Sequence, residues 1–288
     1  MSRKGWFLFS LSGFVWGIPY LLIRVAVEEV DATVVVFVRV LIGAAIFIPI
    51  TWRSGALREA RKYWKWILFY AVGEMIGPFW LITTAEKHVT SGLAGLLIAT
   101  TPIWSAIQAS FQGDKSVWHH RRLLGMIIGF FGIFLVVGIE SLQGKQSVLA
   151  IGMLILAAMG YSTAMMTIAR KAGDADGKAI NGAAMAITAL VYLPFAIHFA
   201  PTQIPSTKAI AALITLGLVP TAFAFFTFFI LIKEIGAARG ALVTYLNTAF
   251  AVVLGVLILN EPLTLGIMLG LPLVLIGSYF ASHKPSVQ

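Results

Sequence analysis

Cysteine is absent from the chain, which excludes a disulfide framework, thiolate chemistry and a cysteine metal centre, and leaves the redox compartment open. Charge is almost as scarce: only 11% of the 288 residues are Asp, Glu, Lys or Arg, too few to clothe a soluble core. The patterns that catalysis or nucleotide use would need are missing too. There is no HExxH, no GxSxG and no GxxxxGK followed by Ser or Thr, so a zinc protease, a serine nucleophile elbow and a phosphate loop drop out. The 5 histidines are dispersed, with His88, His119, His120 and His283 at segment rims and His198 near a helix end. Asp174 to Gly177 starts like a calcium loop but lacks the later ligands, and reads as a polar turn. The expectation is a chain that is not an enzyme, holds no metal or cofactor, and takes any energy from gradients.

What is abundant is apolar length. Hydrophobic residues make up 59% of the chain. A helix crossing a bilayer needs roughly 20 apolar residues, and ten such stretches can be drawn, over residues 5–27, 32–51, 66–87, 90–111, 121–138, 148–170, 178–200, 207–232, 238–259 and 263–281. The expected fold class is therefore an all-α, polytopic membrane protein. Its first span follows Arg3 and Lys4, exceeds a signal-peptide core in length and is followed at once by a second span, so it reads as an uncleaved helix. Apart from Arg24, Lys87, Lys145 and Lys208, and Arg39 within a span, every basic side chain falls on the rim shared by the two termini. That bias places both termini in the cytoplasm and turns the net charge of +9 into a topology signal rather than a nucleic-acid footprint. Trp6, Trp52, Trp64, Trp66 and Trp118 fall at the same rim, as interfacial tryptophans should.

The chain also repeats itself. His88 to Ala106 lines up with Glu234 to Val252, and Gly125-x6-Gly132 with Gly270-x6-Gly277. The units are 1–142 and 143–288, with the handover near Ile139 to Ser147. Each would hold five spans, so the second must enter the membrane from the opposite face, and inverted repeats present one central site alternately to two sides of a bilayer.

Candidate site residues follow from what is costly in lipid. Arg39 and Glu74 lie several residues inside their spans, where an unpaired charge is expensive. They could pair and clamp helices 2 and 3, or serve ion coupling or substrate charge. Thr101, Ser105 and Gln108 share one face of helix 4, and Thr244, Asn247 and Thr248 one face of helix 9. Thr101 corresponds to Asn247 in the repeat, so the stripes are expected to face each other across the pseudo-twofold axis. Interhelical bonding alone is the simpler alternative. Pro78, Pro102 and Pro220 lie within spans and free the carbonyls of Glu74, Ile98 and Leu216, which makes helices 3, 4 and 8 candidates for bending and cavity lining. Rings gather at similar depth: Trp16, Tyr20, Phe79, Trp80, Trp104, Tyr161, Phe223, Phe226 and Tyr245, with Thr83 among the nearby polar groups. Such walls suit a small amphipathic solute better than a bare ion. The pairs Gly13 and Gly17, Gly73 and Gly77, Gly125 and Gly129, and Gly266 and Gly270 read as close-packing positions.

Trp16-Gly17, Arg39, the run from Lys87 through Pro102, Lys233 to Ala238 through Tyr245-Leu246-Asn247, the Glu261-Pro262-Leu263-Thr264 turn and the paired Gly-x6-Gly helices together resemble the drug/metabolite transporter superfamily, in the branch built from two EamA-type repeats. The likeness covers nearly the whole chain and is nearest to bacterial aromatic amino-acid exporters. It implies export of an amino acid or related metabolite across the inner membrane, with lipid and a small-molecule substrate as the partners and a monomer sufficing. A broad drug or quaternary-amine exporter is the alternative, and a non-transporting scaffold the reading from outside the class. Where the family's second repeat commonly shows Glu-Pro in helix 9, this chain has Asn247-Thr248. That departure puts facilitated movement on an equal footing with proton antiport.

Overall fold

The computed structural model describes residues 2–113, 118–142, 147–235, 240 and 242–282. Lys115, Lys145, His283, Lys284 and the Gly236 to Arg239 part of the second repeat motif lie outside the described residues. Within them the chain is helical throughout: α1 Arg3–Ala26, α2 Ala32–Arg53, α3 Ala56–Ala85, α4 Ser91–Phe111, α5 His120–Leu142, α6 Val148–Lys171, α7 Gly177–His198, α8 Thr207–Ile235, α9 Val243–Leu259 and α10 Leu265–Ser282. Among the described residues, 7 of these, α1 to α4 and α6 to α8, are long and apolar enough to cross a membrane, and α9 and the stretch Leu265–Ala281 are shorter apolar helices.

Polar residues start these helices where the connections turn. Ser2, Asp31, Thr90, Ser147, Asp176 and Ser206 each accept a hydrogen bond from a backbone N–H of the first turn, satisfying donors that a helix leaves orphaned. Three helices are interrupted. In α3 and α8 a π-turn spans Val72–Ile76 and Leu218–Phe223, each next to one of the expected prolines, Pro78 and Pro220. In α4 the helix breaks between Ile98 and Thr101, just before Pro102, and the Ala99 carbonyl at the break accepts from Ser278 Oγ of α10 at 3.0 Å. Pro19, Pro49, Pro194 and Pro272 also lie inside helices, and none of those helices is divided.

Exchanging the first five helices for the last five maps the packing onto itself. α2 pairs with α7 and α5 with α10, while α1 packs on α8 and α9 just as α6 packs on α3 and α4. Glycines set the closest approaches. A Cβ on Gly17 would sit 2.6 Å from Phe250 Cβ and 2.9 Å from the Asn247 carbonyl of α9. One on Gly277 would collide with the Gly129 backbone of α5. Gly13, Gly73, Gly125 and Gly129 meet a neighbouring helix in the same way, whereas Gly77 faces only its own helix.

The ends differ in how solidly they pack. On the far rim, where α1 ends and α10 begins, one continuous apolar cluster draws residues from all ten helices, from Tyr20, Ile23 and Val35 through Leu93–Ala99 and Leu154 to Leu216, Val252 and Val274. Toward the near rim the core divides. One cluster joins α2, α3, α6 and α7, with Ala222 of α8, around Phe47, Tyr70, Met75 and Met185, and extends along α2 and α7 to Val36 and Tyr192; a second joins α4, α5 and α10 at Ile103, Met126 and Ala281; a third joins α1, α8 and α9 at Leu8, Leu231 and Val243.

Candidate functional site

The helices that carry these clusters also hold half-buried polar and aromatic side chains: Trp16, Glu74, Thr101, Trp104, Ser105, Gln108, Tyr161, Phe226, Tyr245 and Asn247. Trp16 sets its ring against Phe225 and Phe228 of α8, at 5.8 and 4.5 Å between centroids. Phe226 stacks on Phe47 at 5.5 Å, and Tyr245 meets Tyr279 edge-on at 6.3 Å. Tyr161 packs between the far cluster and the α2–α3–α7 wall. Trp104 lies edge-on to Phe130 at 5.6 Å, and its Nε1 donates to Thr100 Oγ1 at 3.1 Å.

Arg39 does not pair with Glu74. Its Nε donates to Thr221 Oγ1 at 2.8 Å, and its guanidinium lies 3.9 Å over the Phe79 ring. Thr221 in turn donates to the Leu216 carbonyl at 2.8 Å, the acceptor that Pro220 leaves unused. One side chain of α2 is thus fixed to the π-turn of α8 and stacked beside the π-turn of α3. Glu74 sits within that second turn with Oε2 buried and without a hydrogen-bond partner. Arg39 is thus engaged by Thr221 and Phe79.

The polar stripe of α4 is spent on its neighbour. Thr101 Oγ1 donates to Ile98 O at 2.7 Å, satisfying the carbonyl that Pro102 frees. Ser105 Oγ lies 2.9 Å from Ser162 Oγ, and Gln108 Nε2 donates to Thr163 Oγ1 at 2.8 Å while its Oε1 accepts from Ser162 at 3.2 Å. Ser105 and Gln108 therefore bond to α6 rather than to the stripe of α9. On α9, Thr248 donates to Thr244 O at 2.9 Å and reaches Gly95 O at 3.3 Å, and lies 3.2 Å from Asn247 Oδ1. The two stripes back separate interfaces.

Four expected residues fall away from this group. Trp80 is 37% exposed on the outside of the bundle, so it does not join Phe79 beneath Arg39; consecutive helical residues point about 100° apart. Phe223 is also exposed. Thr83 and Tyr20 are buried within the solid far half. Two open grooves lie elsewhere on the described surface, one at the near ends of α2 and α3 between Trp52, Arg58, Arg61 and Trp64, and an apolar one between Leu41 and Leu193. Neither contains an expected site residue.

Sequence reasoning missed Glu86, which the far rim closes over, and Glu261. The Glu261 carboxylate accepts from Ser91 N and Ser91 Oγ, both at 2.8 Å, and from Gly92 N at 3.2 Å, so the acidic α9–α10 turn caps the N-terminus of α4. Its place in the Glu261-Pro262-Leu263-Thr264 turn was the available signal. Other rim contacts are exposed. Glu29 holds Ser206, whose hydroxyl and N–H keep its carboxyl below the usual range. At Asp31 partial burial pushes the carboxyl up, but the Thr33 N–H and hydroxyl with Lys87 at 3.4 Å bring it below its ordinary value. Glu234 is lowered by the Ser2 hydroxyl and Lys4 at the near rim.

Long apolar helices, glycine-mediated crossings and polar groups confined to the interior define a multi-pass membrane protein. The model of the EamA-like transporter family matches residues 3–138 and again 148–283, and the chain belongs to that family. It is 22% identical to an uncharacterized transporter of Archaeoglobus fulgidus over 99% of each chain. It is 23% identical to the uncharacterized transporter YoaV of Bacillus subtilis over 92% of each. With the uncharacterized inner membrane transporter YedA of Escherichia coli it shares 26% identity, over 97% of this chain and 93% of that one. A crystal structure superposes with a TM-score of 0.68 at 18% identity, covering 98% of this chain and 97% of the other, which shows a shared fold.

Proposed function

We propose that this transporter exports amino acids, aromatic and other neutral ones, or related metabolites from the cytoplasm across the inner membrane by alternating access. The observation that supports it is the contrast between the two ends: one apolar cluster closes the far half, while the near half splits into three clusters whose helices also carry half-buried rings and polar groups. With the basic rim cytoplasmic, this contrast is what a carrier closed to the outside and parted toward the cytoplasm would have. Five spans per half give the halves opposite orientations, so the same pieces can close the near end and part the far one. Trp16, Phe79, Tyr161, Phe226 and Tyr245 would meet the solute's apolar part. Asn247 and the unpartnered Glu74 would meet its polar end, with Arg39 holding the two π-turns in register around it.

A quaternary-amine or drug exporter is the second reading, favoured by one feature: Glu74 offers an unpartnered carboxylate beside Tyr161, a setting that suits a cation. Purified protein in liposomes, assayed by counterflow over a panel of amino acids and a quaternary ammonium competitor, separates them. Exchange of neutral amino acids is expected. Competition by the amine that Glu74→Gln abolishes would favour the second reading, and null fluxes throughout would sink both.

A further inference from the structure

Glu86 follows the last turn of α3 and is 0% exposed, and neither of its carboxylate oxygens has a hydrogen-bond partner. Its backbone carbonyl accepts from the Arg24 guanidinium, which draws Arg24 to this end of α3 without pairing it to the carboxylate. The groups that act on Glu86 are Arg24 of α1, Arg39 of α2 and Glu261 of the α9–α10 turn, with Tyr20 of α1 beside them. Arg39 is engaged by Thr221 and Phe79. Glu261 is engaged by the start of α4 and adds negative charge. Residues 148–169 of α6 contain no charged side chain. Lys87, the next residue, turns outward to Asp31. An ionised carboxylate enclosed in this way is heavily penalised, and its neutral form far less so.

We propose that Glu86 is a proton-binding site of the far end: it takes a proton from outside water when that end opens, and the end closes only over the uncharged carboxyl. One hydronium ion gives up its proton to a carboxylate oxygen, which becomes the buried O–H, and the proton returns to outside water on reopening. The far closure described above is then favoured by acid outside. This rests on the alternating-access reading for its consequence, but not for its test.

Because the chain has no cysteine, a single introduced thiol reports on opening without background. Leu93, 0% exposed in the far cluster, is replaced in Leu93→Cys, and the full-length protein in lipid nanodiscs is labelled with a maleimide across a pH series. Rates are normalised to Thr202→Cys in the exposed far connection. The normalised rate is expected to rise with pH, by up to about tenfold per pH unit, the limit for one linked proton. Glu86→Gln in the same background should hold it low and flat, and Glu86→Asp should restore a slope. A flat rate with Glu86 intact, or a slope that survives in Glu86→Gln, overturns the proposal. So does the lack of an infrared protonated-carboxyl band that Glu86→Gln removes, a measurement that needs no introduced thiol. Null solute flux with the slope intact would sink the carrier reading alone, and active flux with flat labelling would sink this one alone.

Discussion

Single side chains here serve more than one element. Thr221 accepts from Arg39 while it donates to the carbonyl of Leu216, so Thr221→Val leaves a buried donor and a buried acceptor unmatched. Thermal unfolding in detergent should show a loss of about 1–3 kcal/mol. Removing the cap of α4 with Glu261→Ala should cost about 0.5–2 kcal/mol by the same measurement. Acid acts at the far rim through Asp31, whose carboxyl is held below its ordinary value of 3.8. A depressed carboxyl contributes stability that is present above the ordinary value and is lost as pH falls through the lowered one. Unfolding scans should therefore show a loss below about pH 4 that Asp31→Asn removes. Arg39 was legible in the sequence as a costly intramembrane charge, but its partner was not. Glu74 was the only opposite charge in view, whereas the bond goes to a threonine 182 residues away in sequence, exposed to it by a π-turn that hydropathy does not encode. Glu86 went unnoticed because its place at a span's end reads as a rim position, and only the packing of α1 and the α9–α10 turn over it reveals its burial.

Helices were legible in outline. Pro78, Pro102 and Pro220 made α3, α4 and α8 candidates for bending and those three are interrupted, but Pro19, Pro49, Pro194 and Pro272 lie inside helices that stay whole, so proline alone does not mark a break. What the sequence could not give is which face each helix presents. A π-turn adds a residue to one turn and shifts the phase of everything after it, and Trp80 lies exposed on the outside of the bundle. Trp80→Ala should accordingly leave solute exchange unchanged, while Trp16→Ala, which removes the ring packed on Phe225 and Phe228, should weaken it; counterflow rates for the pair decide. Helix contacts carry their own test. Gly129→Leu would drive a side chain into Ile103 and the Gly277 backbone, and is expected to part α5 from α10, read as aggregation on size-exclusion chromatography.

At the scale of the whole molecule, composition was enough for a multi-pass helical bundle, since apolar length survives without any fold in hand, while the likeness to the EamA-type branch came from particular residue runs and is matched by the family model. The unequal packing of the two ends was not legible, because both halves carry similar stretches and one arrangement of them is selected only in three dimensions. That inequality makes a prediction of its own. In the same cysteine-free background, Gln108→Cys, half-buried in the near half, should react with a soluble maleimide faster than Leu93→Cys; equal rates would mean that the near half is as closed as the far one.

The two π-turns have a mirror consequence for how such a chain tolerates a shortened sequence. Because each π-turn carries one residue more than a regular turn, deleting one residue from Leu218–Phe223 should let α8 wind regularly while Phe225 and Phe228 keep their place on Trp16. A residue removed from a regular stretch of α8 ahead of those rings would instead turn them by about 100°. A one-residue gap within the π-turn should therefore yield a protein that inserts, folds and keeps its inner lining, and the matching gap in Val72–Ile76 should do the same for Phe79.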